Sequence, residues 1–268
     1  MRVVFALLTL WSAAFGQAAW AAPGSVFLDE LTWTEVRDAL RADKTTIIIP
    51  VGGTEQNGPH VALGKHNVRV KALAGKIAAT LGNALVAPVL AYVPEGRIAP
   101  PSGHMRFAGT ISIPEDVFKA VLEASGRSFK QHGFVDVVLI GDSGNSQADL
   151  KAVAARLNRE WAATPVRAHF IADYYRAFQI DYSLALRAQG LSDTQVGTHA
   201  GTADTSLLMA VDATLVRPER FAAAAREGET AGTAGDPRGS SVPLGLIGID
   251  LIVARTVTAI RNARNAPR

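Results

Sequence analysis

Residues 45–60 read TTIIIPVGGTEQNGPH. The first half is an apolar, β-branched run that ends in glycines, and such a run predicts a strand that is buried on both faces. The second half places Glu55 and His60 directly after that strand. Because ligands of parallel α/β sheets gather at the carboxyl ends of the strands, this turn is the first candidate site.

On either side of this segment, the chain alternates between strand and helix patterns. Further apolar strands are predicted at 84–92, 135–140 and 166–171. Helices are predicted at 68–81, 114–131, 148–162, 206–211 and 248–262, with a long Gly/Ser/Thr/Pro-rich loop at 228–243. This alternation predicts one α/β domain over residues 23–268, a three-layer α/β/α fold with a mainly parallel central sheet.

The composition excludes several kinds of metal site and catalytic group. The chain of 268 residues contains no cysteine, which excludes disulfides, thiolate metal sites, iron–sulfur clusters and a cysteine nucleophile. Any metal ion must therefore be held by histidine, carboxylates and water. The 27 basic and 24 acidic residues leave a net charge of only +3, and the sequence has no basic stripe interleaved with aromatic residues. Nucleic-acid binding is therefore disfavoured.

The N-terminus carries an export pattern. Residues 1–22 contain a basic residue, an apolar run over 3–15 and an A-x-A sequence at 19–21. This order is typical of a secretory signal peptide, here cleaved after Ala21 or Ala22, and it predicts a periplasmic or secreted protein with no membrane span after cleavage. The alternative is an uncleaved membrane anchor, although the run is short for a span of about 20 residues.

Two more polar segments are predicted at the same edge of the sheet. Residues 141–145 read GDSGN after the third strand, and residues 198–206 read THAGTADTS before an apolar helix. Nitrogen and oxygen ligands of this kind suit Zn²⁺, Mn²⁺ or Fe²⁺. The simpler alternatives are plain glycine turns and helix caps at Asp142 or Asp204. The six candidate ligands are Glu55, His60, His66, Asp142, His199 and Asp204.

Five ordered segments carry a family pattern. They read EQNGPH (55–60), LGKH (63–66), FAGT (107–110), GDSGN (141–145) and HAGTADTS (199–206). In order and spacing they resemble the EQHGPH, LGTD, F-x-G-T, NGHGGN and HAG-x-x-ETS segments of the creatininase family of metal-dependent amidohydrolases. The resemblance covers about residues 31–259. It implies the family's α/β fold, hydrolysis of carbon–nitrogen bonds, divalent metal ions and a homo-oligomer.

The departures from this pattern fall on the implied metal ligands. Glu55 is kept, whereas Asn57 and Asp142 replace histidines, His66 replaces an aspartate and Asp204 replaces a glutamate. The changes at 66 and 142 are reciprocal, so the ligand count is preserved if these two side chains face each other. The change at 57 is uncompensated, because an amide oxygen is a weak ligand for transition metals.

Two interpretations of the site stay open. In the first, Glu55, His66 and Asp142 hold one metal ion rather than the family's two, and His60 or Asp204 joins them. In the second, His66 and Asp142 form a plain ion pair or hydrogen bond. The chain is then a metal-free binding protein or an enzyme with different chemistry.

The resemblance also implies catalytic and substrate-binding roles. Glu55 is expected to be catalytic, and His199 to pass a proton to the leaving nitrogen. The proline-rich loop 94–107 lies on the substrate side by resemblance, and its alternative is a stiff surface loop with solvated charges. The expected substrate contacts are Glu95, His104 and Arg106 in that loop, and Asn57, Ser143 and Asn145 outside it.

These observations predict an exported, metal-dependent hydrolase of a non-peptide carbon–nitrogen bond. Its substrate is expected to be a small amide, with cyclic amides included and creatinine itself disfavoured by the ligand changes. The alternative is a catalytically inactive small-molecule-binding protein on the same scaffold.

Overall fold

The computed structural model describes residues 24–266, so the predicted signal peptide lies outside the described residues. Its sheet has four parallel strands in the order β2-β1-β3-β4. The strands are β1 (Thr46–Val51), β2 (Ala84–Val86), β3 (Asp136–Gly141) and β4 (Arg167–Phe170). Every residue of β1 and β3 is buried, as their nearly continuous apolar sequences predict.

Helices cover both faces of this sheet. In the described part of the chain the α-helices are α1 (Trp33–Arg41), α2 (Lys65–Leu81), α3 (Glu115–Gln131), α4 (Gln147–Glu160), α5 (Ala172–Arg176), α6 (Ser183–Ala188), α7 (Asp193–Val196), α8 (Thr202–Asp212), α9 (Phe221–Glu227) and α10 (Val242–Asn265), and a π-helical segment, Ala177–Tyr182, joins α5 to α6. Side chains alternate along β1, so Ile48 packs in one core with α2, α8 and α10, whereas Ile47 and Ile49 pack in a second core with α1, α3 and α4. The predicted three-layer α/β fold with a mainly parallel sheet is therefore confirmed.

The second strand is shorter than predicted. It ends at Val86, whereas the apolar pattern extends to residue 92. Pro88 interrupts the ladder because its nitrogen has no hydrogen to donate. The chain nevertheless stays beside β1, since the N–H of Leu90 donates to the carbonyl of Pro50 at 3.0 Å.

The last helix begins earlier than predicted, at Val242 instead of Gly248. Pro243 lies in its first turn, where the missing N–H is tolerated, so the proline-containing loop ends sooner than its composition indicates. By length and composition α10 could span a membrane. In this fold one face of the helix packs on the core, with Ile252 and Ile260 buried among the helices on one face of the sheet.

Helix α10 packs closely on α8 at Gly245. A Cβ atom at this position would lie 1.9 Å from the carbonyl oxygen of Ser206, which is backbone and cannot move without shifting α8. We expect Gly245→Ala to lower the free energy of unfolding by about 1–3 kcal/mol through overpacking. Urea unfolding measures the effect against Gly239→Ala, whose Cβ would meet its nearest atom at 3.5 Å. Equal losses in both variants would contradict a close contact.

Candidate active site

The three polar segments meet at the carboxyl edge of the sheet. Strands β1 and β3 are neighbours, with Val51 paired to Gly141, so the segments that follow them leave the sheet side by side. The first turn of α2 and the segment that leads into α8 border the same space. Together they line a cavity of about 240 Å³, whose walls include Glu55, His66, His104, Asp142, His199 and Asp204.

His66 lies between two carboxylates in this cavity wall. Its Nδ1 is 2.7 Å from Asp142 Oδ2, and its Nε2 is 2.7 Å from Glu55 Oε1. Ionised carboxylates only accept hydrogen bonds, so both ring nitrogens donate and the ring is a cation. Although burial and Lys65 oppose protonation, the two carboxylates raise the pKa of His66. The reciprocal exchange therefore produces the ion pair of the second interpretation.

Two buried cations on α2, Lys65 and Arg69, extend this network and were missed in the sequence. Both are 0% exposed. Arg69 donates to Asp142 Oδ2 and to Asp204 Oδ1, each at 2.7 Å, and Lys65 Nζ lies 3.2 Å from Asp204 Oδ2. Although burial opposes it, Arg69 lowers the pKa of Asp142 to about 2. The sequence contained a signal for both residues. Lys65 and Arg69 lie eight and four residues before the buried Leu73, and this spacing places all three on the core face of α2.

Glu55 also faces two imidazole rings. Its Oε2 is 3.3 Å from His104 Nε2, and its Oε1 is 3.8 Å from His199 Nδ1. Gln56 holds both rings in place, since its amide nitrogen is 3.1 Å from His104 Nδ1 and its backbone carbonyl is 2.9 Å from His199 Nε2. Burial lowers the pKa of His199 to about 4, so the neutral ring donates from Nε2 to that carbonyl. The unprotonated Nδ1 is then turned toward Glu55.

Glu95, Ser143 and Asn145 lie beside this group. Asn145 Nδ2 donates to Oε2 of the buried Glu95 at 2.8 Å. Burial and the negative charge of Glu55 raise the pKa of Glu95 to about 8, so its carboxyl carries a proton at neutral pH. Ser143 and Asn145 line the cavity, and Asn145 also lines an adjoining chamber of about 690 Å³ together with Glu95.

Two residues predicted to act in the site make buried contacts around the turn after β1. His60 is buried, and its Nε2 lies 2.9 Å from the carbonyl oxygen of Ala200. Asn57 is also buried and donates to the backbone carbonyl of Glu55 at 2.8 Å. Asn57 Oδ1 and His60 Nδ1 are buried without a hydrogen-bond partner among the described residues, so the roles predicted for these two side chains stay predictions.

The predictions that remain are the substrate contact of Arg106 and the helix-cap alternatives for Asp142 and Asp204. Arg106 borders a separate pocket of about 300 Å³ that shares His104 and His199 with the cavity. The cap alternatives are wrong. Asp142 accepts from Arg69 rather than capping α4, and the N-cap of α8 is Gly201, three residues before Asp204.

Comparison with known proteins identifies the family. The family model for creatininase, described as creatinine amidohydrolase, matches residues 29–260. The chain belongs to the creatininase family. A mycofactocin precursor peptide peptidase from Mycolicibacterium smegmatis is 34% identical over 113 residues, which are 40% of this chain and 43% of that protein. A creatinine amidohydrolase from Pseudomonas putida is 27% identical over 199 residues, 73% of this chain and 75% of that protein. The match to the first relative thus spans less than half of its length.

Solved creatininases share the fold of this creatininase-family chain. A structure titled "Creatininase Mn" has a TM-score of 0.74 at 24% identity and covers 91% of this chain and 100% of that one. A mutant creatininase of Zn–Zn type has a TM-score of 0.72 at 24% identity, with the same coverage. Manganese and zinc are thus the metals named for those proteins.

Glu55, His66 and Asp142 do not fit one metal ion in this creatininase-family chain. The two carboxylates lie at opposite nitrogens of the His66 ring, and a single ion cannot bind both. Glu55, His104 and His199 do fit, because one ligand atom from each lies within 4.8 Å of the others. Burial lowers the pKa of both imidazoles, which leaves both rings neutral. His104 accepts from Gln56 at Nδ1 and so carries its proton on Nε2, which that nitrogen would give up to bind a metal ion. Two imidazoles and a carboxylate suit Zn²⁺, Mn²⁺ or Fe²⁺.

The lowered pKa of His199 predicts an unusual pH range for metal binding. Protons compete with metal ions for imidazole, so at a given metal concentration a ligand of lower pKa keeps its ion to a lower pH. Because the pKa of His199 is about 4, we expect occupancy to persist at pH 5.5 and to fall only as the pH nears about 4. Metal content after dialysis at each pH measures it. Half-loss near pH 6.5 would contradict a neutral, buried ligand.

Proposed function

We propose that this chain hydrolyses a carbon–nitrogen bond of a polar amide bound above Glu55, with one divalent metal ion held by Glu55, His104 and His199. The observation that carries the proposal is the convergence of these three side chains at the wall of a 240 Å³ cavity, in a chain of the creatininase family. A bound ion would polarise the carbonyl of the amide and ease the loss of a proton from water.

The chain's own residues supply the proton chemistry. Glu55 is ionised, because His66 and Lys65 lower its pKa against the effect of burial, so its carboxylate is available as a metal ligand and as a hydrogen-bond acceptor. Glu95 carries a proton at neutral pH and lies next to Glu55. It can therefore deliver a proton to a leaving nitrogen, which otherwise departs as an unfavourable anion. Asn145, which Glu95 orients, lines the cavity and can bind a polar substrate group.

The shape of the site favours a substrate that extends beyond one small ring. Asn145 joins the cavity to the 690 Å³ chamber, and His104 and His199 join it to the 300 Å³ pocket beside Arg106. Groups on both sides of the cleaved bond therefore have space. Peptides are no longer excluded as substrates, since one relative is a peptide peptidase. The proposed substrate class is a polar amide, with short peptides included.

The test combines metal analysis with a substrate panel. Protein purified without chelators and loaded with Mn²⁺ or Zn²⁺ is assayed on hydantoin, dihydrouracil, N-acetyl amino-acid amides and short peptides. We expect hydrolysis of at least one class, loss of activity with EDTA and recovery when the metal is restored. Activity that EDTA leaves unchanged would overturn the metal role. Stoichiometric metal without turnover of any panel member would count against a general amidohydrolase.

A second candidate is a binding protein without catalysis. The observation in its favour is the His66–Asp142 pair, because a position implied to bind metal is occupied by a hydrogen-bonded pair of protein groups. Saturable binding of panel compounds without turnover, and without bound metal, would favour this candidate over the hydrolase.

Export is part of the proposal. We expect the mature protein to begin at residue 22 or 23, after cleavage in the A-x-A region. Intact-mass measurement of the periplasmic and membrane fractions of an expressing bacterium tests this. An uncleaved chain in the membrane fraction would support the anchor alternative.

The homo-oligomer implied by the family stays a prediction, for light scattering to test.

A further inference from the structure

The buried cations Lys65 and Arg69 are arranged as fixed counter-charges for one half of the site. They are one helical turn apart on α2, and both point at the carboxylates that lie beyond His66. The Arg69 guanidinium bridges Asp142 and Asp204 with contacts of 2.7 Å to each. A buried charge is tolerated only when it is paired, so this bridge ties both carboxylates to the helix.

The oxygens of these two carboxylates are already occupied. Asp142 Oδ1 accepts from the Tyr174 hydroxyl at 2.7 Å, and its Oδ2 accepts from His66 and Arg69. Asp204 Oδ1 accepts from Arg69, and its Oδ2 accepts from the Ala200 N–H at 2.9 Å. A metal ion bound to either carboxylate would have to displace these donors. It would also leave Arg69 buried without its partners.

The charges of Asp142 and Asp204 are matched without a metal ion. Arg69 contacts both carboxylates, Lys65 lies 3.2 Å from Asp204, and the doubly donating His66 ring adds a third positive charge, which Asp142 shares with Glu55. A divalent ion between Asp142 and Asp204 would therefore lie against three buried cations, which is costly at low dielectric.

We infer that Lys65 and Arg69 take the place of a second metal ion, so that the centre binds no ion at Asp142 or Asp204 and at most one divalent ion in all. The inference rests on the proposed function only for the position of that one ion, at Glu55, His104 and His199. The conclusion about Asp142 and Asp204 rests on their contacts alone.

Anomalous diffraction from crystals soaked in excess Mn²⁺ tests the inference on the unmodified protein. We expect one peak at Glu55, His104 and His199 and none within ligand distance of Asp142 or Asp204. A peak at Asp142 or Asp204 would overturn the inference. A map without any peak would remove the metal from the proposed function, and it would support the inference, because the two carboxylates then bind no ion even in excess metal.

Removing the fixed charges gives a second, independent test. In Lys65→Met/Arg69→Met the freed carboxylates are expected to bind Mn²⁺, so that metal content rises by one ion per chain and added Mn²⁺ raises the melting temperature. Lys71→Met, on an exposed position of the same helix, is the matched control and should bind the same number of ions as the unmodified protein. Unchanged metal content in a folded double variant would count against the inference, and the crystal test stands if the variant does not fold.

Discussion

Arg69→Met is expected to destabilise the protein by about 3–5 kcal/mol, one of the largest effects of any single substitution in this chain. Arg69 is fully buried, and its guanidinium contacts both Asp142 and Asp204. Methionine fills much of the same volume but leaves two buried carboxylates without their main partner. The cost therefore comes from uncompensated charge rather than from a cavity. The midpoint of guanidinium-chloride unfolding, at an unchanged slope, measures it.

A surface arginine provides the control for this experiment. Arg255 is exposed and pairs with Asp181 at 3.0 Å, so Arg255→Met should cost only about 0–1 kcal/mol. Neutralising the partners should also rescue the buried variant. Arg69→Met combined with Asp142→Asn and Asp204→Asn is expected to recover part of the loss. If Arg69→Met and Arg255→Met unfold at the same denaturant concentration, the buried network does not stabilise the fold.

The fold was predictable because its central strands are unusually clear. A β-branched run such as Ile47–Ile49 is typical of a buried strand. Because such strands alternate with helices along the chain, few sheet topologies are possible. The helices α1, α5, α6, α7 and α9 were missed because each has only four to nine residues, too few for a long apolar stripe. For α1 a local signal existed, since Thr32 and Glu35 form a capping box.

The position of the site was predictable, but its internal pairing was not. Adjacent parallel strands bring the ends of β1 and β3 together, and this placed Glu55 and Asp142 at one rim. The pairing of these side chains with their neighbours depends on rotamers and on the buried positive charges of α2. Lys65 and Arg69 escaped notice because charged residues on helices are normally solvated. His104 was expected to contact substrate, and its approach to Glu55 depends on the conformation of the loop after β2.

Glu55→Gln is expected to abolish metal binding and with it the proposed hydrolysis. Glu55 supplies the one carboxylate of the proposed ligand set, and glutamine keeps its shape while removing its charge. Loss of a single supporting contact to a ligand costs about 10–100-fold in metal affinity, so loss of the ligand itself should cost more than about 100-fold. If metal polarisation supplies several kcal/mol to the transition state, activity should fall by roughly 10³-fold or more.

The substitution also separates a ligand role from a structural one. In Glu55→Gln the amide oxygen of the new side chain can still accept the hydrogen bond from His66, so the fold should persist and metal content can be measured on folded protein. His104→Ala removes a ligand without touching the charge balance around His66, and it should lower metal content in the same way. Glu115→Gln, an exposed glutamate at the rim of the large chamber, is the charge-matched control. If Glu55→Gln retains one ion per chain, the proposed ligand set is wrong. If metal is lost while activity remains, catalysis belongs to the protein groups alone, and Glu95 becomes the residue to test next.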